Sequence, residues 1–119
     1  MKKSRASVPC SGEVMDAYPC PKLILQDVHD SGRRFETVLQ GRILVGRDAY
    51  QCQIVLRTDS TVARKQCEIY LRDGHIMIHN LSTTNITMVN ERQVDEDCPL
   101  DSGSVITMGK VKLRVEVHQ

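Results

Sequence analysis

The sequence predicts an all-β domain, a sandwich of short antiparallel strands, and three observations carry that prediction. From Lys22 onward apolar residues recur with period two, and nowhere does a helical repeat persist. Turn-forming residues punctuate the chain at short intervals, Asp73-Gly74 most clearly. The longest alternating run sets Val111, Leu113, Val115 and Val117 on one face and Lys112, Arg114 and Glu116 on the other. Many short strands of this kind bury their apolar faces by pairing two sheets around one core.

The elements follow in order. Residues 1–21 mix Ser, Pro, Gly and charge without periodicity, with Pro9, Pro19 and Pro21 as breakers. They read as a flexible lead-in or linker ahead of a domain spanning residues 22–118. Leu23, Ile24 and Leu25 open a first strand that ends near Val28. The turn His29-Asp30-Ser31-Gly32 leads to a second strand over residues 33–39, with Phe35, Thr37 and Leu39 on one face. Gln40-Gly41 turns the chain into a third strand over residues 42–46. A loop over residues 48–52 leads to a short strand at residues 54–56.

The strongest hairpin pairs residues 67–72 with residues 75–80 through Asp73-Gly74, a type I′ signal because both turn residues take positive φ. Cys67, Ile69 and Leu71 face the core with Ile76 and Ile78, while Glu68, Tyr70 and Arg72 face outward. A second hairpin joins residues 105–108 to residues 111–117 through Gly109-Lys110. Met77, Met88 and Met108 read as packing residues.

Composition excludes several function classes. The 119 residues fit one domain, and about ninety of them read as foldable, enough for a two-layer core. A net charge of +1 argues against a general nucleic-acid binder. With no Trp, one Phe and three Tyr, stacking platforms for single strands are absent. Five cysteines, an odd number with no CxxC pair, point to free thiols, a reducing compartment and a cytoplasmic location. A cytosolic domain of a larger, membrane-anchored protein fits equally. No metal or cofactor is expected, because His29, His75, His79 and His118 are not spaced to complete a zinc site.

No apolar run is long enough to insert in a membrane, and no signal core follows Met1-Lys2-Lys3-Ser4-Arg5. The sequons at Asn80 and Asn85 are short patterns that chance supplies. No catalytic set is evident: Asp95-Glu96-Asp97 reads as a solvated turn, and the chain is expected to be non-catalytic.

What remains is a set of loop residues. Gly46-Arg47, Val62-Ala63-Arg64-Lys65-Gln66-Cys67 and Thr84-Asn85-Ile86-Thr87 lie between strand-like runs. They supply guanidinium forks, an ammonium, hydroxyls and an amide, donors suited to a phosphate. Loops on a rigid β scaffold are where binding residues concentrate.

These residues carry a resemblance. Gly46-Arg47, then Arg64 after a small residue, then Leu81-Ser82-x-x-Asn85-x-Thr87-x-Val89-Asn90, then Leu100-x-x-Gly103-x-x-Ile106-x-x-Gly109, resemble a forkhead-associated (FHA) domain over about residues 22–117. The resemblance implies an eleven-stranded β-sandwich whose loops at one end bind phosphothreonine peptides. Arg47 would pair with the phosphate, Arg64 and Lys65 would add charge, Thr84 would donate a hydroxyl, and Asn85 would hold the peptide main chain. The implied partner is a phosphothreonine protein, such as a serine/threonine kinase substrate.

Three positions depart from the family pattern. Ala63 stands where a serine donates to the phosphate, Gln66 where a histidine braces the loops, and Ile86 where a glycine occupies a tight turn. Two readings follow: a weakened phosphopeptide module, or a degenerate FHA fold used for phosphate-independent assembly within a larger protein or secretion complex.

Overall fold

The computed structural model describes residues 20–56 and 60–118. The expected lead-in therefore lies, up to residue 19, outside the described residues. Among the described residues eleven strands form two sheets and no helix is present: β1 (Lys22–Asp27), β2 (Arg34–Val38), β3 (Arg42–Gly46), β4 (Ile54–Val55), β5 (Cys67–Arg72), β6 (His75–Asn80), β7 (Thr87–Val89), β8 (Arg92–Gln93), β9 (Cys98–Pro99), β10 (Val105–Met108) and β11 (Val111–His118). One sheet runs β2-β1-β11-β10-β7-β8 and the other β4-β3-β5-β6-β9. All ladders are antiparallel except β3–β4.

The alternation read from the sequence is the core. Leu23, Leu25, Leu113 and Val115 from one sheet meet Ile43, Val45, Cys67, Ile69, Ile76 and Ile78 from the other, all buried. Leu71 and Phe35 pack at its edge. The Asp73-Gly74 turn takes φ of 52° and 81°, as the type I′ reading requires.

The region between residues 81 and 100 carried no strand assignment from periodicity, yet it holds three short ones. β7 and β8 pair through Asn90-Glu91, both at positive φ (52° and 70°). Glutamate is an uncommon residue there, so the turn had no sequence signal. β9 is two residues at the edge of its sheet, where Pro99 is tolerated.

The registers bring one set of strand ends together. Val45 is opposite Cys67, Cys67 is opposite Asn80, and Thr87 is opposite Met108. The end of β3, the start of β5, the end of β6, the start of β7 and the β10–β11 turn thus share one end of the sandwich.

Candidate functional site

Gly46 closes β3 with no room for a side chain. A Cβ there would collide with the main chain of Ala63 and Arg64. The close approach lets two backbone bonds form across the loops: Arg47 N–H donates to Ala63 O (3.1 Å) and Asp48 N–H to Arg64 O (3.2 Å). Arg64 O also receives the Cys52 thiol at 3.3 Å. The Arg47 side chain donates from Nε to Val62 O at 2.5 Å. That bond anchors the guanidinium and leaves its terminal nitrogens without a partner among the described residues.

Gln66 holds the second half of the site. It is fully buried, and every polar atom is used. Oε1 accepts from Ala63 N–H (2.9 Å), while Nε2 donates to Asn85 O (3.0 Å) and to Thr87 Oγ1 (2.8 Å). Its main chain donates to Val45 O and accepts from Leu81 and Ser82 N–H. Thr87 Oγ1 in turn donates to Asn80 Oδ1 (2.8 Å), and Asn80 Nδ2 donates to Ser82 O (2.9 Å). One amide side chain therefore ties the loop before β5 to the loop before β7, and so joins the two sheets at this end. A buried amide with all its groups paired rigidifies what it touches.

The residue that replaces the family's histidine thus does bracing work, through an amide that has both donors and an acceptor. Ile86 stands where the resemblance implies a glycine. Its φ is not positive, so a β-branched residue is unstrained there, and its side chain is 54% exposed. Ala63 offers no hydroxyl, as the sequence states.

The loop carrying Thr84 and Asn85 is ordered by Ser82, whose Oγ accepts from Thr84 N–H (3.3 Å) and Asn85 N–H (2.9 Å). No side-chain bond to a described residue engages the Thr84 hydroxyl or the half-buried Asn85 amide. Arg64 and Lys65 are exposed and form no ion pair with a described residue. Arg47, Asp48, Ala49, Tyr50 and Arg64 line a concavity of about 370 Å³, with Tyr50 fully exposed at its rim. The Asp48 carboxylate in that wall is held below the usual range. The Tyr50 N–H contributes most, the Gln51 side-chain amide next, and Arg64 adds a smaller share.

Of the residues expected to bind, Arg47, Arg64, Lys65, Thr84 and Asn85 all lie at this end of the sandwich, linked through the Gly46 and Gln66 contacts. Sequence reasoning gave no role to Ser82 or Asn80, which fix the loop. The motif Leu81-Ser82-x-x-Asn85 contained that signal. Cys20, Cys52, Cys67 and Cys98 are free thiols. Burial pushes the Cys67 thiol up to about 12, which makes it a packing residue.

A larger concavity of about 700 Å³ lies elsewhere, between Val89 and Pro99, and its wall includes Asp95, Glu96 and Asp97. Arg92 also lines it, so three carboxylates against one guanidinium leave its wall net acidic and unsuited to phosphate. Among the described residues no three His, Cys, Asp or Glu side chains converge as metal ligands. No helix there is long and apolar enough to cross a membrane.

Comparison with known proteins places this geometry in context. The sequence pattern of the FHA domain matches residues 43–109. The proliferation marker protein Ki-67 of Homo sapiens is 34% identical over 73 residues, which is 61% of this chain and 2% of Ki-67. The Mus musculus protein is 31% identical over 87 residues, or 73% of this chain and 3% of the relative. The chain therefore spans only a small fraction of those relatives' length.

Among solved structures, an FHA domain studied for phosphothreonine-dependent interactions superposes with a TM-score of 0.72 at 30% identity, covering 82% of this chain and 98% of the other. The FhaA FHA domain, complexed with the intracellular domain of Rv3910, gives 0.69 at 30%, covering 79% and 99%.

Proposed function

The chain belongs to the FHA-domain family, and we propose that it binds phosphothreonine-containing peptides through the loop end built on Gly46, Gln66 and Ser82. In this reading it is a non-catalytic interaction module. Arg47 and Arg64 meet the phosphate, Lys65 adds positive charge, Thr84 donates its hydroxyl, and Asn85 bonds the peptide main chain. The observation that carries the reading is the Gln66 network: the loops are braced from within, while the Arg47 terminal nitrogens and the Arg64, Lys65, Thr84 and Asn85 side chains bond no partner among the described residues. Braced loops lower the ordering cost of binding. The FHA neighbours studied with phosphothreonine or with a partner domain support the same ligand class.

Affinity is modest in this account. A missing hydrogen bond to a charged group costs about 1.5–3 kcal/mol, roughly ten- to a hundredfold, and Ala63 forgoes one. The ligand is a product of serine/threonine kinase action, in a reducing, cytoplasmic setting that the free thiols favour.

A second reading, phosphate-independent assembly within a larger protein, is favoured by Ala63 alone. Fluorescence polarisation with a phosphothreonine peptide library and its unphosphorylated counterparts separates the two. Binding that requires the phosphate, and that Ala63→Ser tightens by about tenfold or more, supports the first. Equal binding of both peptide forms, or none at millimolar peptide, overturns it.

A further inference from the structure

We propose that the chain pairs with a second copy of itself along the outer edge of β2, joining two six-stranded sheets across a twofold axis at Phe35.

Among the described residues β2 is the sheet edge long enough to take a partner strand. It ends its sheet and pairs only with β1. The other edge strands, β4, β8 and β9, are two residues each. β2 has five, Arg34-Phe35-Glu36-Thr37-Val38, with no proline and no residue at positive φ. The register with β1 fixes which of its main-chain groups are free. Asp27 N–H donates to Arg33 O and Leu39 N–H to Pro21 O, both at 2.9 Å. Bonding alternates along an antiparallel strand, so Arg33, Phe35, Thr37 and Leu39 turn their N–H and C=O toward β1. Arg34, Glu36 and Val38 turn theirs outward, where no described loop bonds them. Such a row of unpaired groups is a template for another strand.

The side chains choose which strand. Charges on an edge usually deter pairing. Here they are opposite in sign and two residues apart on one face, with Arg34 Nε 3.0 Å from the Glu36 carboxylate. A second β2, antiparallel about Phe35, sets each Arg34 opposite the other copy's Glu36. Both residues bond outward, so four main-chain hydrogen bonds form between the copies. An axis at Arg34 or at Glu36 would instead set like charges face to face, which destabilises a pair. An axis at Thr37 forms no opposed ion pair. On the inward face the Phe35 rings of the two copies meet. Phe35 is half-buried at the edge of the core, so the pairing covers apolar surface. The contact is small and the dimer correspondingly weak. The twofold uses up the long edge of both copies, so association stops at two. None of Arg47, Arg64, Lys65, Thr84 and Asn85 is on β2, and the dimer carries two intact loop ends.

The test follows the whole 119-residue chain by sedimentation velocity and by amide hydrogen exchange. At low salt the unmodified chain is expected to pass from one copy toward two between about 10 μM and 1 mM. Over the same range, exchange at the Arg34 and Glu36 amides slows by about fivefold or more. Glu36→Arg and Arg34→Glu each oppose like charges, and each alone weakens association by about tenfold or more. Mixed in equal amounts they restore it, because each supplies the charge that the other lacks. Circular dichroism establishes that both variants are folded. A chain that stays single to about 1 mM overturns the proposal. So do folded variants that dimerise like the unmodified chain, or a mixture of them that fails to recover association. If either variant is unfolded, the unmodified chain decides alone: exchange at Arg34 and Glu36 that slows with concentration supports the pairing, and unchanged exchange overturns it.

Discussion

The loop end and the outer face of the five-stranded sheet are both crowded with charged and polar groups, but they dispose of them in opposite ways. On the sheet face the charges satisfy one another. Arg42 pairs with Glu68 at 3.2 Å, and His79 Nδ1 lies 2.6 Å from Asp97. The Tyr70 hydroxyl donates to the same carboxylate, and Arg72 reaches it at 3.7 Å while lying over the Tyr70 ring. At the loop end the neutral groups satisfy one another, through Gln66, Thr87, Asn80 and Ser82, and Arg47, Arg64 and Lys65 form no ion pair with a described residue. A self-paired charged face needs no ligand. A braced loop with unpaired cations offers an anion something that water alone would otherwise solvate.

Replacing Gln66 with Leu is expected to have the largest effect on this contrast. It strands Ala63 N–H and Asn85 C=O at half-buried positions and removes a donor from the buried Thr87 hydroxyl, which keeps its bond to Asn80, at about 1–3 kcal/mol for each lost partner. A fall of about 3 kcal/mol or more in urea-unfolding free energy is expected, together with loss of phosphopeptide binding. A change under about 1 kcal/mol would show that the network is incidental.

The matched pair Arg47→Ala and Arg42→Ala comes next. Arg47→Ala should weaken phosphopeptide binding by about tenfold or more in calorimetric titration, because a charge-assisted contact is lost. Arg42→Ala, on the paired face, should leave binding unchanged and shift stability by no more than about 0.5 kcal/mol. Equal losses would erase the distinction between the two regions.

The smallest effect concerns acid. The Tyr70 hydroxyl first, and His79 second, hold the Asp97 carboxyl below its ordinary value. Its contribution to stability is therefore present above the unfolded aspartate value and is lost as pH falls through the folded one. Asp97→Asn should flatten the acid side of the stability curve and leave phosphopeptide affinity at neutral pH untouched. An unaltered acid limb would mean the cluster contributes nothing measurable.

Much of the fold was legible because its signals are local. The Asp73-Gly74 turn and the alternation of Val111 through Val117 need only neighbours in sequence, and both appear in the structure as read. β8 and β9, at two residues each, are too short to carry a period, and Glu91 hides its turn. At the site, Arg47, Arg64 and Asn85 could be singled out by residue type and order. Gln66 was legible only in part. As a residue type it stands in for a histidine with an amide that can still hydrogen-bond; its partners Asn85 and Thr87 lie 19 and 21 residues away and meet it only when the two sheets close.

The central claim is tested most directly by following backbone amide NMR signals while a phosphothreonine peptide and its unphosphorylated form are added in turn. The account predicts phosphate-dependent shifts at Arg47, at residues 63–66 and at residues 84–86, with Tyr70, His79 and Asp97 unmoved, and their loss in Arg47→Ala. Shifts that both peptides produce alike, or that gather on the Asp97 face instead, would contradict it.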